Sequence, residues 1–207
     1  MRRVPIVATT VVTAAIATMI WLGIWQIQRA RWKEGLLASY RAAALAPQMN
    51  GLPRDAGADR VAFRRTALSC TIVTDSTQIG GPGPDGRTGY RNIAGCRLGD
   101  GRTIMVDLGW NAVGVTASPL RLGEHIEGRG RLIPDDVLAR RILPDAPKAL
   151  SLLLVLESPA PGLAPSTAPS IETIPNNHRG YAVQWFLFAG VALVIYLLAL
   201  RKRYKAG

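Results

Sequence analysis

Two histidines and two cysteines are nearly all that this chain offers a metal ion. No Cys-x-x-Cys is present, and no cluster of His or Met, so spacing supports neither a zinc nor a copper site. There is no Gly-x-Ser-x-Gly, and neither histidine stands in the context of a catalytic triad. Gly80-Gly81-Pro82-Gly83-Pro84-Asp85-Gly86 is too irregular to cradle a phosphate and is read as a turn or mobile loop. Asp135-Asp136, after Pro134, is most simply a turn. An enzyme is hard to build from this inventory, and the chain is read as a non-enzyme.

Acidic residues are missing from both ends. All 14 lie between Glu34 and Glu172, and residues 34–177 carry 15 Lys and Arg against those 14, so the middle of the chain is close to neutral. The remaining basic residues are Arg2, Arg3, Arg29, Arg31, Lys33, Arg179, Arg201, Lys202, Arg203 and Lys205, and each flanks an apolar run. The net charge of +11 is therefore charge that anchors helices at a lipid bilayer; it is not a stripe that tracks phosphates, and no nucleic-acid partner is expected.

Charge is absent from two long runs. Residues 4–28 are 25 residues without a charge, and residues 180–200 are another 21. At a rise of about 1.5 Å per residue, each matches the roughly 30 Å hydrocarbon core of a bilayer. Arg2 and Arg3 also suit a signal peptide, but the first run is long for one and no small-residue cleavage site follows at once. Residues 4–28 and 180–200 are thus expected to be transmembrane helices. The basic cluster after the second span places the C-terminus in the cytoplasm. Two spans then put the N-terminus there too, with residues 34–177 on the outer side, the periplasm in a bacterial cell.

Trp21 and Trp25, four apart, share a helix face near the outer interface. The helix is expected to run on through Arg29 to Arg41 as an amphipathic stalk with Trp32, Leu36, Leu37 and Tyr40 on one side. Gln26 and Arg29 are placed to meet headgroups or the second helix. Residues 47–59 read as a linker. Strands are expected at 61–74, 90–98, 103–108, 125–133 and 150–156, with an Asp-Gly hairpin at Gly99-Asp100-Gly101-Arg102. In the 125–133 strand Glu127, Arg129 and Arg131 share one face. Residues 158–170, rich in Pro, Ala and Ser, read as an extended connector. The fold class is α+β: two transmembrane helices near the termini flanking a mainly antiparallel-β extracytoplasmic domain.

Cys70 and Cys96 fall in different expected strands. Two readings stand: one disulfide in an oxidising compartment, or two buried thiols acting as small hydrophobes. His125 reads as a solvated strand residue. His178, within a turn of the membrane surface, has two readings. It is a polar cap of the second helix, with Asn176 or Asn177 at the N-cap, or it is an axial ligand to haem iron in an aromatic surround.

Three stretches, in order, resemble the Surfeit locus 1 proteins, assembly factors for cytochrome c oxidase. Leu22-Gly23-Ile24-Trp25-Gln26-Ile27-Gln28-Arg29 is similar to the family's Leu-Gly-x-Trp-Gln-x-x-Arg. Gly89-Tyr90, followed by residues 101–110 ending in Gly109-Trp110, resembles its central hairpin. Asn176-Asn177-His178-Arg179-Gly180-Tyr181-Ala182-Val183-Gln184-Trp185-Phe186 is similar to its second-helix motif, Asn-x-His-x-x-Tyr-Ala-x-x-Trp-Phe. The family's arginine before Gly-Trp is Leu108 here, and Asn111-Ala112 stands where Val-Pro is usual. The resemblance implies a membrane protein that binds haem a transiently and helps place it in the oxidase's haem-copper catalytic subunit. It carries His178 over as the iron ligand and Trp25, Tyr181 and Trp185 as pocket residues. The implied partners are that subunit, the lipid bilayer and the haem a biosynthetic enzymes; the implied location is the inner (plasma) membrane. The rival is a scaffold that stabilises the nascent subunit without touching haem.

Overall fold

The computed structural model describes residues 5–55, 57–115, 120–146, 148–167 and 170–205. Arg2, Arg3 and Val4, Ala56 of the expected linker, and Ala168 and Pro169 of the expected connector lie outside them. The chain divides into two units, Met1–Ala38 with Ile174–Gly207, and Ser39–Thr173.

The first unit is built on two helices, α1 (Ile6–Leu45) and α4 (His178–Lys205). Both are long and apolar enough to cross a membrane, and nearly all of that apolar surface is exposed in the protein alone. A set of covered positions recurs three and four apart: Thr9, Val12, Ile16, Met19, Gly23, Gln26, Ala30 and Lys33 on α1, and His178, Ala182, Trp185, Ala189, Ala192 and Tyr196 on α4. That is a heptad seam, the spacing of two helices coiled about each other in the left-handed sense. The helices run antiparallel. Thr9 meets the Tyr196 hydroxyl at one end, and the Phe186 ring lies against Gly23, where a Cβ would come within 2.7 Å of it. At the other end Arg179 makes a two-pronged ion pair with Glu34 at 2.8 and 3.0 Å. Small residues at Gly23, Ala30, Ala182 and Ala189 let the helices fit closely together.

The second unit is a β-barrel. Its strands are β1 (Met49–Asn50), β2 (Arg65–Ile72), β3 (Thr77–Pro82), β4 (Thr88–Leu98), β5 (Thr103–Ala112), β6 (His125–Pro134) and β7 (Ala149–Leu156). Short helices α2 (Ala58–Val61) and α3 (Asp136–Ile142) interrupt them, and a 3-10 turn, Ile171–Thr173, follows β7. The sheet order is β1-β2-β6-β7-β5-β4-β3, and a further pairing of β2 with β4 closes a five-stranded ring. Most pairs are antiparallel; β1–β2 and β5–β7 are parallel. Alternation fills the interior: Leu68, Cys70 and Ile72 of β2, Ala94, Cys96 and Leu98 of β4, Ile104, Val106 and Leu108 of β5, Leu132 of β6, and Leu152, Leu154 and Leu156 of β7. Gly128 and Gly130 keep the inner face of β6 thin, so Leu156 and the Val155 carbonyl occupy the space a Cβ would need.

The ring closes through only three residue pairs between β2 and β4, Cys70–Leu98, Thr71–Arg97 and Ile72–Cys96. The Cys70–Cys96 disulfide crosses that same join, its Cα atoms 5.6 Å apart.

The elements differ from expectation at identifiable places. Residues 77–82 form β3, so that Gly80, Gly81 and Pro82 of the expected turn are strand instead, because β4 offers a ladder from Ile93 to Thr88 on which even Gly-Gly-Pro pairs. Asp135 is the N-cap of α3: its carboxylate accepts from the Leu138 amide at 2.8 Å. Met49–Asn50, inside the expected linker, add β1 to β2. The connector is strapped onto β5, with Ala164 and Trp110 exchanging amide-to-carbonyl bonds of 2.7 and 2.8 Å.

Trp110, nearly fully buried, lies over the β3–β4 hairpin. Its Nε1–H donates to the Gly81 carbonyl at 3.1 Å, and a Cβ on Gly83 or Gly89 would collide with its ring at 2.8 and 2.3 Å. The Gly-Tyr and Gly-Trp of the central motif are thus two halves of one packing contact. Leu108 is buried in the barrel core. Beside it, outside the ring, Asp107 is buried and held by Arg91 Nε at 2.7 Å and by the Ser166 hydroxyl at 2.7 Å.

Candidate functional site

The imidazole of His178 opens α4. The Asn177 carbonyl accepts the first helical bond, from the Tyr181 amide at 3.2 Å. His178 is half-buried on the seam, and its Nδ1 lies 2.7 Å from Oε1 of Gln26, a seam residue of α1. An amide oxygen only accepts, so Nδ1 is the donor in this contact, and the tautomer that the contact selects is the one whose free nitrogen is Nε2. A second group that fixes the tautomer in this way is the usual companion of a metal-binding histidine. Gln26 thereby takes the second of its two expected contacts, with the other helix.

The heptad sorts the neighbouring side chains onto two flanks. With Gly23, Ala30, Ala182 and Ala189 at position a, and Gln26, His178 and Trp185 at position d, Trp25 takes position c and Tyr181 position g. In an antiparallel pair the d-side flanks of the two helices face the same way. His178, Trp185, Trp25 and Tyr181 therefore share one flank. His178 and Trp185 are partly covered by the seam, whereas Trp25 and Tyr181 are 46% and 50% exposed. Arg29 stacks on Trp32 along this side of α1, its guanidinium 3.9 Å from the ring centroid. Trp185 meets Phe188 edge to face, with centroids 6.3 Å apart. The flank is an open aromatic wall with one imidazole; none of the cavities described below encloses it.

The opposite flank is hollow. Ile27, Ala30 and Arg31 of α1 with Arg179, Ala182, Val183 and Phe186 of α4 line a groove of about 370 Å³. It was not anticipated. The signal lay in the spacing of the small residues, since Ala30 and Ala182 are its floor.

His125 and the cysteines belong to the barrel. His125 is exposed, with Nε2 3.0 Å from the Ser69 hydroxyl and Nδ1 3.4 Å from that of Thr71. No group of three or more His, Cys, Asp or Glu that could hold a metal ion occurs among the described residues. An open groove of about 720 Å³ runs past Ser69, Glu127, Arg129 and Glu157 on the barrel's outer face. There Arg65 holds Glu157 by bonds of 2.8 and 3.0 Å, and the hydrogen bond to the guanidinium keeps the carboxyl below its usual range.

Known proteins align with this arrangement along most of its length. The SURF1 family model matches residues 13–190, from the middle of the first apolar run through the seam of α4. A SURF1-like protein from Monosiga brevicollis is 24% identical over 217 residues, covering 87% of this chain and 83% of its own. The matched region contains both helix motifs, the Gln26–His178 contact and the whole barrel, and the chain therefore belongs to the SURF1 family, whose members are generally cytochrome oxidase assembly factors and not enzymes.

Proposed function

We propose that this chain is an assembly factor for cytochrome c oxidase that takes up haem a as cargo and helps insert it into the haem-copper catalytic subunit. His178 Nε2 would hold the haem iron, and Trp25, Tyr181 and Trp185 would form the wall against which the macrocycle rests. The observation that carries this is the 2.7 Å contact of Gln26 Oε1 with His178 Nδ1, which leaves Nε2 as a ready metal donor. The residues suit the cargo: an imidazole nitrogen beside indole and phenol rings is a donor set for haem iron, and an open flank suits a protein that must let go. In this scheme α1 and α4 lie in the inner (plasma) membrane with both termini cytoplasmic. The cluster Arg201, Lys202, Arg203 and Lys205 favours that orientation. The Cys70–Cys96 disulfide favours a barrel on the oxidising, periplasmic side.

A second role has its own support. The Gln26–His178 and Glu34–Arg179 contacts clasp the two helices through side chains of this chain alone, as a haem-independent scaffold for the nascent subunit would require. An optical spectrum of the detergent-purified full chain, coexpressed with the haem a biosynthetic enzymes, separates the two. A haem a band in the wild type that is lost in His178→Ala at equal yield supports cargo binding. No band in either, from a host shown to make haem a, leaves the scaffold. The haem a enzymes are partners only under the first reading.

A further inference from the structure

The groove on the a-side flank has a composition that the aromatic wall lacks. Its floor is Ala30 and Ala182, both almost fully buried, and its sides are Ile27, Val183 and Phe186. At its mouth stand Arg31 and Arg179. Glu34 neutralises Arg179, its carboxylate bonded to both Nε and a terminal nitrogen. Arg31 has no such partner among the described residues, so the groove keeps one uncompensated guanidinium. Every residue of it lies at the end of the spans where the charge-free runs begin and end, the depth of the lipid headgroups if the helices cross a membrane.

We propose that this groove is a binding site for one anionic phospholipid. The acyl chain lies on Ile27, Val183 and Phe186 over the alanine floor, and the phosphate is held by Arg31, with the remaining N–H groups of Arg179 beside it. A guanidinium matches a phosphate in charge and in two-pronged geometry. A chain in a preformed apolar hollow gains contact that a flat helix pair does not offer. The proposal rests on the membrane placement above and is independent of haem. It puts a lipid on one flank of the pair and leaves the other free for cargo.

The test is native mass spectrometry of the full chain released from nanodiscs of phosphatidylglycerol and phosphatidylcholine in equal amounts. Membrane fractionation comes first: a chain that washes off at high pH and salt removes the membrane placement itself. For a chain that stays, one retained phosphatidylglycerol is expected, favoured about tenfold over phosphatidylcholine, whose choline cation offsets its own phosphate beside Arg31. Arg31→Gln should bring that ratio close to one, and so should Val183→Trp, which fills the groove from its exposed side without touching the seam. Lys202→Gln with Arg203→Gln, at the other end of α4, should leave it unchanged. Equal retention of both lipids in the wild type overturns the proposal. So does a preference that survives Arg31→Gln and disappears with the Lys202 and Arg203 pair. A headgroup without acyl chains, glycerophosphoglycerol, that competes as well as the lipid also overturns it, because the apolar floor would then contribute nothing.

Discussion

Gln26 Oε1 accepts a hydrogen bond from His178 Nδ1 at 2.7 Å, across the seam between two helices whose residues are 152 apart in sequence. The contact fixes which imidazole nitrogen is free. Replacing Gln26 with Leu keeps the seam packed and releases the tautomer. Under the cargo role, haem a affinity in an optical titration should fall by about ten- to a hundredfold, with membrane insertion unchanged. Under the scaffold role, Gln26→Leu changes complex stability and leaves no spectral difference to measure.

The disulfide braces the join at which the closed five-stranded ring has the fewest paired residues. Its ends are 26 residues apart. Loop-closure entropy for that length gives a stabilisation of about 3.5 kcal/mol. The Cys70→Ala/Cys96→Ala double variant should lose about that much in urea unfolding of the full chain followed by the barrel's Trp110 fluorescence. Reducing agent should shift the wild type by a similar amount and leave the double variant where it is.

Leu108 stands where the family pattern carries arginine, and here it is wholly buried among Cys70, Cys96 and Leu132 of the barrel core. Leu108→Arg therefore places an uncompensated cation in an apolar interior. The expected cost is about 3–5 kcal/mol or loss of the fold, read as a collapsed melting transition in detergent. A conservative Leu108→Met should cost less than about 1.5 kcal/mol.

Glu157 and Asp100 are both held below the ordinary carboxylate range, first by hydrogen bonds from Arg65 and Arg102 respectively. The folded barrel thus binds these protons more weakly than the unfolded chain does. Their contribution is present at neutral pH and is lost as pH falls from the unfolded value, 4.5 for Glu157 and 3.8 for Asp100, through the lower folded ones. Urea midpoints should drop between pH 6 and pH 3, and they should drop less in Arg65→Gln, where Glu157 has lost its partner. Both carboxylates are partly exposed to solvent, which screens them, so the difference should be modest.

Legibility in the sequence followed the physics of each segment. Charge-free runs bounded by arginine and lysine made the two long helices plain. In the expected 125–133 strand, Glu127, Arg129 and Arg131 were read onto one face, and they do point away from Leu132 in the core. β3 was not legible, because Gly80-Gly81-Pro82 has the composition of a turn and is held extended only by its neighbour. The barrel's closure was equally hidden, since β2 pairs with strands far along the chain and no local pattern announces them. Of the site, motif resemblance supplied His178, Trp25, Tyr181 and Trp185. The division into two flanks came from the covered positions of both helices together. Neither helix shows it alone, because the residues facing outward are as apolar as those facing the partner helix.

The ring of strands also sets an order of events. β4 and β5 follow each other through a tight turn and can pair as soon as both are made. β2 cannot be enclosed until β6, roughly sixty residues later, reaches it, and β5 waits likewise for β7. Pairings so distant along the chain form slowly. Cys70 and Cys96, by contrast, are both available once β4 is complete. Oxidation at that moment would lock the β2–β4 join before its flanking strands arrive, so that a half-made barrel waits with its seam already closed.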